Sequence, residues 1–495
     1  MRKILIEMAI ILCSVSTLAQ DIDKYHEYLA SFKKYKQESS EEFETYREKI
    51  NAEYAEYMRQ AWSQYNIHAA TPIPQRPEPP TPVVKDPQDT PLNEARPLEI
   101  DIPKSIPIST PKPSIVSTPQ AQQERKPVVV PKVRCKNQYF TFDYYGTPCK
   151  VNADESYRIT LNEVSNDAIA DAWESMSSQK YYDLVDELLE LKEDLQLCDW
   201  GYVQLTDKFS STLMSNKNEA RILQIFLLSQ SGYKLRVAQC NGQVLLLMPF
   251  ADNTTVYNYS YINREGIHYY ILDKNNTGSI SVFDRDFPNG RFCSLEIKNT
   301  PLLKSNLDEE RRLQSKRYDD VKARYTINKN IINFYNEYPI TSKWDMYVRT
   351  SISSNLSEVL YPQLRTAIAS KSVTEAANML LNFVQTAFDY QVDGTQFGYE
   401  RPLFGDETLY YPYCDCEDRA ILYAILVREL LGLDVILLNY PEHIATAVCF
   451  GSDIAGRYID YDGKRYFVCD PTYIGASIGD AMPQLRNEKA VIVEI

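Results

Sequence analysis

Proline limits what a long part of this chain can fold into. Residues 71–134 contain more than half of the 27 prolines in the 495-residue sequence. Proline has no amide hydrogen to donate and holds its φ angle near one value, so a proline-dense segment builds no packed core. We therefore predict an extended, semi-rigid linker over residues 69–134. An inert spacer is favoured over a specific proline-motif ligand.

The start of the chain has the features of a leader. Met1-Arg2-Lys3 precedes a short apolar stretch, and Thr17-Leu18-Ala19 suits a signal-peptidase site, so residues 1–19 are predicted to be a signal peptide. The apolar stretch is too short for a permanent bilayer anchor. Lipidation of Cys13 is disfavoured because Leu12 precedes it, where a small residue is preferred. We expect an exported protein, periplasmic or secreted, with no membrane span after signal removal.

Residues 20–68 are predicted to be an amphipathic helical segment. Aromatic and apolar side chains recur there at spacings of three and four, with charged residues between them. Ser39-Ser40 followed by Glu41-Glu42 indicates a break and a second helix start. The pattern fits two alternatives about equally. One is a hairpin of two helices that pack on each other, and the other is an arm over 21–67 that binds a protein partner.

Composition excludes several partner classes. The net charge of −14 argues against general binding to nucleic acid or to anionic membranes. The length predicts two or three cores, and 44% hydrophobic residues is typical of globular chains. Ten cysteines are present. Because Cys13 lies in the predicted leader, an odd number remains after export, and at least one thiol is then free.

The last third of the chain supplies a thiol, an imidazole and a carboxylate in order. Cys416 precedes a predicted helix, 417–431, that ends at Gly432. A thiol at a helix N-terminus is favoured as thiolate, and the free N–H groups there can hold an oxyanion. His443 is the only one of the chain's four histidines in this region. It opens a predicted strand, and Asp470 lies on a later one, so the carboxylate can orient the imidazole.

This arrangement resembles the transglutaminase-like branch of the papain-like cysteine enzymes. The residues that carry the resemblance are 415–420, His443 and 470–472. The resemblance implies a fold in which a helix bearing Cys416 packs on an antiparallel sheet bearing His443 and Asp470. It also implies that Cys416 attacks a peptide or carboxamide carbonyl, His443 is the base and Asp470 orients it. Members of that family act as peptidases, amidases or acyl transferases.

Other residues near Cys416 have alternative interpretations. Cys414 is either a competing thiol or half of a strained Cys414–Cys416 link. Zinc is disfavoured because the two cysteines lack the spacing of a zinc site, and we predict neither a metal nor a cofactor. Tyr411 and Tyr413 are candidates for the substrate cleft or the oxyanion site, although simple aromatic packing is favoured for both.

An earlier stretch of the chain repeats the pattern of the last third. Residues 219–228 resemble residues 417–426. Both runs are predicted to be helical, and each is followed by a glycine and then a predicted strand. In the earlier stretch Asn218 stands at the thiol position and Gln243 at the imidazole position. Only the carboxylate remains, as Asp273. We therefore predict a degenerate copy that lacks the nucleophile and the base.

The sequence thus predicts an α+β protein with a degenerate transglutaminase-like domain at 135–305 and a catalytic one at 306–495. Its predicted function is that of an exported cysteine peptidase or amidase that works through a thioester on Cys416. Cell-wall peptide or an exported protein would be the accessible substrate. The alternative is a catalytically silent binding or scaffolding protein of the cell envelope.

Overall fold

The computed structural model describes residues 45–60, 62–74, 81–89, 91–101, 139–177, 181–273, 278–452 and 454–495. The predicted signal peptide and the first predicted helix lie outside these residues. The described residues form a mixed α+β structure that divides into two compact units. One unit contains the described part of Met1–Trp62 with Ile159–Tyr181, and the other contains Ser63–Arg158 with Tyr182–Ile495.

Two helices make up the regular structure of the first unit. Helix α1 covers 45–58 and helix α2 covers Asn166–Ser177. The buried Trp173 packs against Tyr54 and donates its indole N–H to Asn51 at 2.9 Å. Helix α1 confirms part of the predicted helical segment. The boundary predicted at residue 135 does not match this grouping, because 159–181 associates with α1.

The second unit begins with short strands and a hairpin. These are β1 (Ser63–Asn66), β2 (Ala95–Pro97), β3 (Ile100–Asp101), β4 (Phe140–Tyr144) and β5 (Thr147–Val151). The helices that follow are α3 (Tyr181–Asp194), α4 (Asp199–Leu213) and α5 (Lys217–Gln230).

Helix α5 packs on an antiparallel sheet. Its strands are β6 (Arg236–Cys240), β7 (Gln243–Met248), β8 (Tyr261–Arg264), β9 (Ile267–Ile271) and β10 (Ser279–Val282). The strand order is β10-β6-β7-β9-β8, with β1 added beside β10. We call these five strands with α4 and α5 the first helix–sheet layer.

A helical region leads to the last third of the chain. It contains β11 (Arg311–Gln314), β12 (Lys322–Tyr325), α6 (Lys329–Asn336), α7 (Trp344–Arg349), α8 (Ser354–Ile368), α9 (Val373–Ala387), β13 (Asp389–Tyr390), α10 (Asp393–Gln396), α11 (Gly405–Tyr410) and β14 (Tyr413–Cys414). Helix α12 (Cys416–Leu431) then runs to Gly432, whose φ of 66° forms the expected left-handed end.

Helices α9 and α12 form the second helix–sheet layer with five further strands. These are β15 (Val435–Asn439), β16 (Ile444–Val448), β17 (Gly456–Tyr461), β18 (Lys464–Cys469) and β19 (Ala490–Val493). Their order is β19-β15-β16-β18-β17, and all neighbours are antiparallel. This confirms the predicted helix after Cys416 and the antiparallel strands that flank His443 and Asp470. The five strands of the first layer have the same order and the same antiparallel pairing.

Each five-stranded sheet is closed by a segment from earlier in the chain. In the second layer β2 pairs with the edge strand β17 and β3 pairs with the opposite edge strand β19. Three residues of chain span at most about 10 Å, whereas a flat sheet would separate β2 from β3 by roughly 29 Å. The sheet must therefore curl until its two edges approach one another. In the first layer β1 pairs with β10, and His68 pairs with Tyr261 of the opposite edge strand β8.

These closing segments, 63–68 and 95–101, correct two expectations. Residues 63–66 form a strand, so the predicted helix to residue 68 is wrong there. Residues 95–101 join a folded sheet, so the prediction of a spacer over 69–134 is wrong for them. Proline favours extended backbone, and extended backbone can pair at a sheet edge where Pro needs no donor. Leu98 also enters the core of the second sheet, where it is 9% exposed. Residues 102–138 lie outside the described residues.

No helix among the described residues combines the length and the apolar character needed to cross a bilayer.

Candidate active site

Cys416 is the first residue of helix α12. Asp415 is the N-cap, and the helix starts here because Asp418 accepts the backbone N–H of Asp415 at 3.3 Å. Asp418 also accepts the backbone N–H of Leu403 at 2.8 Å. The helix packs on β16, the strand that follows His443. Cys416 is 1% exposed, and its Sγ donates to Oε2 of Glu417 at 3.1 Å.

His443 and Asp470 form a buried hydrogen-bonded pair. The Nε2 atom of His443 lies 2.9 Å from Oδ2 of Asp470. The other carboxylate oxygen, Oδ1, accepts the N–H groups of Thr472 at 2.9 Å and Tyr473 at 3.2 Å. The two backbone contacts fix the carboxylate, and the carboxylate in turn orients the imidazole ring. With Nε2 bonded to Asp470, Nδ1 is the nitrogen suited to accept a proton from a thiol.

Gln385 connects the helix that bears Cys416 to the loop that bears Asp470. Its side-chain amide donates to the carbonyl oxygens of Asp470, Tyr473 and Ala476 at 3.1, 2.8 and 3.2 Å. The main-chain carbonyl of Gln385 accepts from the buried guanidinium of Arg419, in the first turn of α12, at 3.2 Å. Sequence reasoning missed Gln385. The available signal was a pair of amide side chains, Asn382 and Gln385, on the buried face of α9.

Cys414 is a poor competitor for the nucleophile role. It is buried, and burial raises the pKa of its thiol to about 11, although Arg419 opposes the rise. Arg419 Nε donates to its Sγ at 3.4 Å. No disulfide joins Cys414 and Cys416 in this structure.

The two candidate tyrosines have different surroundings. Tyr411 donates to Asn336 at 2.9 Å, accepts from Arg401 at 3.4 Å and packs edge-on against Phe397. Its hydroxyl is thus bonded within the fold. Tyr413 lies in β14 and is 38% exposed.

The corresponding positions of the first helix–sheet layer have a different chemistry. Asn218 donates to the carbonyl of Gly242 and accepts the N–H of Val244, both at 3.0 Å, so it contacts the backbone on either side of Gln243. Gln243 is exposed. Asp273 pairs with Arg221 of helix α5 at 2.6 Å.

Four carboxylates surround the start of α12. Asp393, Glu400, Asp415 and Glu417 each place an oxygen within 4.8 Å of the others. Burial, followed by the charges of Asp418 and Glu417, raises the pKa of Asp393. Oxygen-only donors of this kind suit a hard cation and not zinc.

A scan of protein-family models and searches of curated proteins and of solved structures find no match to this chain.

Proposed function

We propose that this protein is an exported cysteine hydrolase of the transglutaminase-like type, with Cys416, His443 and Asp470 as its catalytic triad. The observation that carries the proposal is the 2.9 Å contact between His443 and Asp470. It supports a base held in one orientation, beside a helix whose first residue is a cysteine. The substrate class is a peptide or carboxamide bond, such as that of a cell-wall peptide or an exported protein.

The chemistry requires two acyl-transfer steps. His443 takes the thiol proton of Cys416, and the sulfur attacks the carbonyl carbon to give a tetrahedral oxyanion. The backbone N–H of Cys416 at the helix N-terminus is suited to bind that oxyanion. The C–N bond then breaks as His443 returns the proton to the leaving amine, which leaves a thioester on Cys416. Water resolves the thioester in a hydrolase, and a second amine would resolve it in a cross-linking enzyme.

We also propose that the first helix–sheet layer is a degenerate copy of the second. The common strand order supports this duplication. The register supports it too, because Cys240 pairs with Gln243 across a two-residue turn, and Tyr440 donates to the carbonyl of His443 across a turn of the same length. Asn218 stands at the position of Cys416 and Gln243 at that of His443, so this copy has neither a thiol nor an imidazole there. Asn218 contacts the backbone beside Gln243, and Asp273 pairs with Arg221.

A second candidate function is a catalytically silent binding or scaffolding protein of the cell envelope. The observation that favours it is the burial of the site, since Cys416 is 1% and His443 7% exposed. The Cys416 thiol also donates its hydrogen to Glu417, which is not the proposed base. A substrate carbonyl could reach Cys416 only after the covering residues move.

Thiol labelling separates the two candidates. Iodoacetamide should alkylate Cys416 in the folded full-length protein at least ten-fold faster than the half-buried Cys449, as read by peptide mass spectrometry. His443→Ala should abolish this preference, because no base then takes the proton. Gln243→Ala, at the matching position of the first layer, is the control and should change nothing. Labelling of Cys416 that is no faster than that of Cys449, or unaffected by His443→Ala, would leave the silent protein as the better assignment.

A further inference from the structure

The carboxylates around the start of α12 form an unusual donor set for a protein interior. Asp393 belongs to α10, Glu400 to the loop after it, and Asp415 and Glu417 flank Cys416. Three of the four are buried and Glu400 is half-buried. Several carboxylates confined within 4.8 Å repel one another strongly unless a positive charge or protons offset them.

Asp393 has an oxygen directed to no donor. The residue is 1% exposed. Its Oδ2 accepts the N–H of Arg401 at 2.5 Å, whereas Oδ1 has no hydrogen-bond partner within the described part of the chain. A buried carboxylate oxygen without a donor is costly, so its persistence in a folded interior points to a missing partner.

The side chain of Arg401, whose backbone N–H bonds to Asp393, does not supply that partner. Arg401 gives its side-chain N–H groups to Glu407, to Asn336 at 2.8 Å and to Tyr411 at 3.4 Å. Its guanidinium is thus bonded to residues of α6 and α11 and to Tyr411.

A small cavity opens beside two of the carboxylates. Glu400 and Glu417 line it with Ile73, Pro74, Tyr257 and Trp344 among others, and its volume is about 40 Å³. A single water needs roughly 10–15 Å³ of such space. The cavity can therefore hold the remaining water ligands of an ion, but it is too small for an organic ligand.

We propose that Asp393, Glu400, Asp415 and Glu417 form a binding site for a calcium ion. Calcium binds oxygen ligands at about 2.3–2.6 Å, so two ligands on opposite sides of the ion lie roughly 4.8 Å apart. The four oxygens already satisfy this limit without movement. Magnesium dehydrates reluctantly and is usually held by only one or two protein carboxylates, so a set of four carboxylates favours calcium. Waters in the cavity complete the coordination shell.

The proposed site uses no cysteine. The cysteine spacing that argues against zinc therefore has no bearing on it, because its donors are all carboxylates. It also stands without the proposed enzyme activity, since none of its donors belongs to the catalytic triad. One contact joins the two sites, because Glu417 Oε2 accepts the Cys416 thiol. A calcium ion bound to Glu417 would therefore compete with the Cys416 thiol for the negative charge of this carboxylate.

Calcium binding tests the proposal on the full-length protein after treatment with a chelator. Calorimetric titration with CaCl₂ should show one site, and MgCl₂ should bind at least ten-fold more weakly. Terbium should bind at the same site with emission excited through nearby tyrosines, and calcium should displace it. The absence of both the calcium heat and the displacement would overturn the proposal, and equal affinity for magnesium would overturn the choice of calcium.

Two variants locate the ion. Asp393→Asn and Glu400→Gln should each raise the calcium dissociation constant at least ten-fold, while Glu375→Gln, an exposed acid on α9, should leave it unchanged. Circular dichroism checks folding, and if Asp393→Asn does not fold, the half-exposed Glu400→Gln decides the matter alone. Calcium affinity as tight in Glu400→Gln as in the wild type would place the ion elsewhere and refute the site.

Discussion

The side-chain amide of Gln385 donates a hydrogen bond to the main-chain carbonyl of Asp470 at 3.1 Å. This bond and its two companions hold the loop that presents the carboxylate to His443. Gln385→Leu should lower the free energy of unfolding by about 2–4 kcal/mol, because it leaves buried carbonyl oxygens without a donor. Urea denaturation followed by circular dichroism measures the change.

The control for Gln385 is Asn355→Ala, which alters an exposed side chain on α8. It should change the unfolding free energy by less than about 0.5 kcal/mol. A loss for Gln385→Leu no larger than this control would mean that the loop is held by other contacts.

The closing segment 95–101 should contribute to stability through Leu98. Leu98 is 9% exposed within the core of the second sheet. Leu98→Ala should cost about 2–3 kcal/mol of unfolding free energy, because it removes buried methyl groups and leaves a cavity. Val84, in the same proline-rich region, is 70% exposed, so Val84→Ala is the matched control with little effect expected. Similar small losses in both variants would argue that the segment is only loosely attached.

Stability should fall with rising pH because of Asp406. Burial raises the pKa of this carboxyl from 3.8 to about 6, although Ser353 donates to it. The native state therefore binds the proton more tightly than the unfolded state does. The resulting stability is present below pH 4 and lost as the pH rises through 6. A shift of this size is worth about 3 kcal/mol.

Asp406→Asn removes the titrating group. Between pH 4 and pH 7 the variant should gain up to about 3 kcal/mol relative to the wild type, as measured by urea denaturation at each pH. Glu358→Gln, an exposed acid on α8, should follow the wild-type profile. Parallel curves for Asp406→Asn and the wild type would show that this carboxyl does not carry the dependence.

A close approach of two backbones limits residue 456 to glycine. Gly456 has a φ of 130°, and an added Cβ would overlap Gly479. Gly463 also has a positive φ, 72°, but no atom lies within 4 Å of its added Cβ. Gly463→Ala should cost about 1–2 kcal/mol for backbone strain alone, and Gly456→Ala about 3 kcal/mol or more because overlap adds to strain. Thermal unfolding compares the two, and equal losses would contradict the close approach.

The local structure of the second layer was predictable, because its signals are local. The helix after Cys416 has an N-cap region, an apolar face and Gly432 at its end, and the strand at 444–448 is a short run of small and β-branched residues. The pairing of His443 with Asp470 followed from their position at the ends of neighbouring antiparallel strands.

The closing segments could not be predicted, because their partners lie far away in sequence. Proline content indicated extended backbone for 95–101, but it contained no information on which strand edges that backbone would meet. Strand β1 continues a polar and aromatic stretch whose pattern predicts a helix. It forms a strand because it pairs with the edge strand β10. Gln385 was missed for a related reason, since its role depends on three carbonyl groups of a loop about ninety positions away.

The closing segments also determine the order in which the protein can be completed during synthesis. Both leave the ribosome before any strand of the sheet that they close. Arg96 of β2, for example, pairs with Arg457 of β17, roughly 360 positions later. At about 5–20 residues per second, such a segment waits for tens of seconds before its partner exists. The earliest-translated part of this unit is therefore the last to pair with its strands. A chain stalled before β19 would retain an open sheet with an unpaired edge.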